Sequence, residues 1–133
     1  MLDTEALSVL GSPKERGVSA RRAQAVLYAA AARKAPIRTS AAVLVEAYQG
    51  KARDAAVDRI LNQGIEVLPV DRGTARVAAR LIGSNNLNSC SAVDAIVVAT
   101  AIRLGEALIL TSNPKDLERL AMGYSGVVIQ ALR

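Results

Sequence analysis

Ala107-Leu108-Ile109-Leu110-Thr111 limits the choice of fold more than any other stretch of this chain. A short, uninterrupted apolar run suits a strand buried on both faces, as in parallel sheets covered by helices. Asn113-Pro114 behind it has the signature of a helix start, with Asn as cap, Pro at the first helical position and Asp116 in the first turn. Gly105 in front of it marks a turn.

The rest of the chain repeats this alternation. Asp3 is placed to cap a first helix that Gly11-Ser12-Pro13 ends, and Lys14 to Ser19 reads as a polar loop. Ala20 to Lys34 has Ala23, Val26, Leu27 and Ala30 at helical spacing and is closed by Pro36. Ile37 to Thr39 is expected as a brief strand, and Ser40 caps a helix through Val43, Leu44 and Glu46 that stops at Gly50. A helix from Arg53 to Gln63, capped by Gly64, leads to a strand at Ile65 to Val70. Asp71 caps a helix at Gly73 to Ile82, and Gly83 to Ser89 is loop-like. The helix carrying Asp94 follows, and Val127 to Ile129 is the last strand. With no repeat and no linker, 133 residues read as a single domain, a three-layer α/β/α sandwich with a mostly parallel central sheet.

Composition narrows the chemistry. Hydrophobic residues make up 51% of the chain but aromatics only 2%, so Ala, Val, Leu and Ile must build the core. Tyr28, Tyr48 and Tyr124 are scattered, which argues against recognition by stacking bases on rings. There is no histidine, and the lone Cys90 has no internal disulfide partner, so zinc sites and histidine catalysis are set aside. No membrane-length apolar run and no basic leader are present, and a cytoplasmic location is expected. The net charge is +5, and the excess is concentrated between residues 14 and 53, where nine cations face Glu15 and Glu46. That imbalance suits a polyanionic partner, although it also suits a solvated face.

Against this background a few acids stand out. Asp94 interrupts the otherwise small and apolar run Ser91 to Ala101. Glu46 is the only charge between Arg38 and Lys51, and Asp3 lies where a first strand would end. Each has an ordinary reading: Ser91 and Asp94 have capping-box spacing, Asp3 and Asp116 can be caps, and Glu46 can be a solvated helix residue. Open parallel sheets, however, place their crevice at the carboxyl ends of the strands, where Asp3 and the Thr111 to Asp116 segment would lie. Carboxylates gathered there repel one another unless a cation or a proton intervenes. Without histidine, magnesium or manganese is the natural partner.

Asp3-Thr4-x-Ala6-Leu7, Glu46 in a helix, Val93-Asp94-Ala95 opening an apolar helix, and Thr111-Ser112-Asn113-Pro114-Lys115-Asp116-Leu117 after a strand resemble, in order and spacing, the landmarks of the PIN domain. Within it, the chain is most similar to the VapC toxins of bacterial toxin-antitoxin pairs. The resemblance implies a metal-dependent endoribonuclease with Asp3, Glu46 and Asp94 as the first three acids and an antitoxin that blocks the site. At the fourth position Asn113 stands where many members have Asp, and Asp116 lies one helical turn further on. The resemblance also implies a homodimer, and Arg21 and Arg22 are candidates for gripping RNA phosphates. Only Met1 and Leu2 precede Asp3, so the central strand is either stunted or begins upstream. The competing reading is a catalytically silent PIN-like module that binds RNA or protein; a receiver-like phosphatase would need a Lys and Thr arrangement not found here.

Overall fold

The computed structural model describes residues 1–50, 52–87 and 92–133. Lys51, Asn88, Ser89, Cys90 and Ser91, the last being the expected capping partner of Asp94, lie outside the described residues. Among the described residues, seven helices and four strands run in the order α1 (Thr4–Gly11), α2 (Pro13–Ala32), β1 (Arg38–Ser40), α3 (Ala41–Ala47), α4 (Ala52–Leu61), β2 (Glu66–Leu68), α5 (Arg72–Ser84), α6 (Ala92–Leu104), β3 (Ala107–Thr111), α7 (Pro114–Ala121) and β4 (Val127–Ala131).

All pairings are parallel, as the alternation of elements requires. β1 pairs with β2, and β3 with β4. Leu2 joins the two pairs, bridging Thr39 on one side and Leu110 on the other. Its amide donates to the Arg38 carbonyl at 2.9 Å, and the Leu110 amide donates to the Met1 carbonyl at 2.9 Å. At the centre of the sheet Leu2 makes the bridge to both neighbours, and the order across it is β2, β1, Leu2, β3, β4.

Aliphatic side chains fill the core, among them Leu2, Leu7, Val43, Val98, Ile109, Leu110, Leu117 and Leu132, while all three tyrosines are exposed. α6 is buried over most of its circumference, with Ala95, Val97, Val98, Ala99 and Ala101 fully covered. A helix apolar all round belongs inside the fold, and its alanines allow close approach. Arg103 near its end pairs with Asp71 and donates to Thr74 Oγ1 at 2.8 Å, tying α6 to the start of α5. Asp71 meanwhile caps α5 through the Thr74 amide at 2.7 Å, and that backbone bond, ahead of Arg103, holds its carboxyl below the usual range.

Several boundaries differ from the sequence reading. The expected loop from Lys14 to Ser19 is helical backbone interrupted at Gly17, whose φ of 40° and ψ of −108° kink α2 into two pieces. α2 also ends at Ala32, before Pro36, because Lys34 takes φ 54° and its amide turns back to the Ala31 carbonyl. β2 is confined to Glu66–Leu68, whereas β4 continues two residues past Ile129 because its register with β3 extends to Ala131. α5 runs through Gly83 to Ser84. β3 has the expected bounds, but only Ile109, Leu110 and Thr111 are fully buried; Leu108 is exposed.

Candidate metal-binding cleft

The register that places Leu2 between Thr39 and Leu110 brings Asp3, one residue on, level with Ser40 and Thr111 at the carboxyl ends of β1 and β3. Asp3 is buried and caps α1, its Oδ1 accepting the Ala6 amide at 2.7 Å. Its second tether is the buried Thr111 hydroxyl, which also accepts the Asn113 amide at 3.0 Å. Burial nevertheless dominates and pushes the Asp3 carboxyl up to about 6, with Asp94 and Glu5 adding to the rise.

Asp94 comes from the first turn of α6 and is half-buried. Its carboxyl is raised by desolvation first, then by the negative charges of Glu46 and Asp116. Glu46 arrives on α3, which Ser40 caps through the Ala42 amide at 3.2 Å. Its side chain is exposed at the cleft and accepts the Thr4 hydroxyl at 2.7 Å, which links α3 to the start of α1.

Asp3, Glu46, Asp94 and Asn113 thus line one cleft of about 310 Å³ together with Thr4, Glu5, Val93, Thr111 and Ser112. Asp116 does not line it. Instead it accepts the Asn113 side-chain amide at 2.7 Å, so this pair forms the rim, and Asn113 spends its side chain on Asp116 rather than on capping α7. Arg21 and Arg22 are exposed on α2 and are not among the residues lining the cleft.

A larger hollow of about 480 Å³ lies beside the starts of β1 and β3, lined mainly by apolar side chains such as Val26, Leu27, Ile37 and Leu108. Glu106 is its only acid among the described residues, so the convergent chemistry belongs to the smaller cleft. Thr4, Thr111 and Ser112 escaped the sequence reading as site residues. Their only signal was position, immediately after an acid or at the end of a buried strand.

Residues 1–122 match the PIN domain family. The chain belongs to the PIN domain family. No curated protein matches the chain. PIN domains are commonly nucleases, and those nucleases generally use magnesium or manganese.

The residues of this PIN domain can be weighed against such an ion by their chemistry. The donors facing the cleft are carboxylate, amide and hydroxyl oxygens, a set suited to a hard divalent cation. Desolvation raises the Asp94 carboxyl first and the charges of Glu46 and Asp116 add to the rise, and a cation offsets that repulsion. Among the described residues no three acids are arranged to clasp an ion unaided. An ion held there would take one or two carboxylates and keep several waters, the ordinary habit of magnesium.

Proposed function

We propose that this PIN-domain protein is a metal-dependent endoribonuclease, the toxin of a type II toxin-antitoxin pair of the VapC kind. In this reading it acts in the cytoplasm as a homodimer, a small antitoxin blocks its cleft, and the parallel sheet lies between two helical layers as one three-layer domain. The observation that carries the reading is the gathering of Asp3, Glu46 and Asp94 at one cleft, on separate elements, with Asp94 under the field of Glu46 and Asp116.

In this mechanism magnesium or manganese would be held at Asp3, Glu46 and Asp94, one or two of them directly and the rest through water, with Asn113 and Asp116 at the outer edge. When bound, the ion lowers the pKa of a water and supplies the nucleophile for phosphodiester hydrolysis. The chain's own work is placement. Thr111 and the Ala6 amide fix the Asp3 carboxylate, and Thr4 fixes that of Glu46, so neither acid has to be ordered when substrate arrives.

The test is RNA cleavage by the purified protein with magnesium, with manganese and with a chelator. Asp94→Asn is expected to lose at least about a hundredfold in cleavage rate, since each such group is worth several kcal/mol in the transition state. Its unfolding midpoint is expected to be unchanged or slightly raised, because a crowded charge is removed. A variant that cleaves at the wild-type rate overturns the proposal.

The runner-up, a silent RNA- or protein-binding module, has one observation of its own: the fourth position offers an amide already committed to Asp116. A magnesium titration separates the two. Under the nuclease reading the wild type binds the ion and Asp116→Asn binds it more weakly; a silent module binds it in neither form.

A further inference from the structure

A second, smaller hollow of about 90 Å³ adjoins the acidic cleft, sharing Thr4, Glu5 and Glu46 as a common wall and running between α1 and α4. It is small beside ordinary ligand pockets, so it receives a group rather than a whole molecule. Among the described residues lining either hollow, Arg53 is the only cation. Its side chain is exposed, and its guanidinium donates to the neutral Ser8 hydroxyl at 3.2 Å, which aims it along the groove while leaving other donors available.

The position of this cation is not explained by the helix that carries it. Arg53 lies in the first turn of α4, at the positive end of the helix dipole, where an acidic residue stabilises and a basic one does not. Asp54, next to it, does the stabilising work by accepting the Gln49 and Gly50 amides at 2.9 and 2.7 Å. A strand of RNA crossing the acidic cleft meets repulsion on every phosphate beyond the one at the metal. A guanidinium just past the Glu46 wall offsets it for the neighbouring phosphate and can do so through two parallel hydrogen bonds.

We propose that Arg53 is a positioning residue that grips the backbone phosphate adjoining the scissile linkage, so that the groove between α1 and α4 carries one flank of a single-stranded RNA. The inference rests on the ribonuclease reading of the cleft and names how its substrate is aligned.

The experiment pairs cleavage kinetics with binding of a labelled, mixed-sequence single-stranded RNA at several salt concentrations, using the Asp94→Asn background for binding. Arg53→Ala is expected to raise KM about tenfold with a smaller effect on kcat, and to reduce the slope of log affinity against log salt by about 0.7, one single-strand phosphate contact. Arg53→Lys should restore most of the slope, because the charge returns. Ser8→Ala should keep the slope, because the cation remains. If the wild type cleaves RNA and Arg53→Ala leaves KM and slope unchanged, the inference is overturned and the ribonuclease reading stands. If no cleavage occurs yet Arg53→Ala still removes the slope, the grip is supported and the nuclease reading falls.

Discussion

Asp3 shows how one side chain serves two ends that oppose each other. As cap of α1 it stabilises the fold, and as a buried charge beside Asp94 it costs stability. A carboxyl that titrates at about 6 in the fold, against an ordinary value of 3.8, holds its proton more tightly when folded. Its stabilising contribution is therefore complete below pH 3.8 and is lost as the pH rises through 6, amounting to about 3 kcal/mol between those limits. Asp3→Asn keeps an oxygen for the Ala6 amide and removes the charge. Urea unfolding is expected to find the variant more stable than wild type at pH 8, with the gain shrinking towards zero near pH 4. Added magnesium should narrow the gap at pH 8, since an ion that binds only the folded wild type stabilises it.

Among the elements, the close approach of the parallel β3 and β4 starts depends on a glycine with no room for a side chain. A Cβ on Gly126 would stand 2.1 Å from the Gly105 carbonyl oxygen, and the Gly126 carbonyl itself accepts the Ala107 amide. Gly126→Ala is expected to cost about 3 kcal/mol in denaturant unfolding. Gly17→Ala should cost only about 1–2 kcal/mol, because its penalty is the positive φ of the kink alone, with open space around it. β3 could be read from the sequence to the residue because an apolar run, a turn glycine and an Asn-Pro start all act locally. The two extra residues of β4 could not, since Gln130 and Ala131 are strand only by virtue of partners in β3. Lys14 to Ser19 looked like a loop because its residues are polar, and polarity reports exposure rather than backbone conformation. Glu46 and Asp94 were legible because each breaks an apolar segment and Asp3 because it lies where a first strand would end, whereas Thr4 and Arg53 acquire meaning only from what the fold sets beside them.

At the scale of the molecule, some apolar side chains stand in solvent: Tyr28 and Val45 are each 80% exposed and Met122 is 77% exposed. The homodimer proposed above covers helix surface of this kind with a two-fold interface. Sedimentation at micromolar concentration is expected to give twice the chain mass, and a monomer there counts against it. No helix among the described residues is long and apolar enough to cross a membrane. The bridging of Leu2 at the centre of the sheet bears on when the cleft can assemble. Leu2 closes the sheet only by pairing with Thr39 and with Leu110, so Asp3 reaches Thr111 only once that distant segment has been synthesised and folded back. Contacts so far apart in sequence form late, because the loop between them must be closed first. A ribosome-bound chain still lacking β3 has no assembled cleft, and the acids it has already made remain apart until that strand arrives.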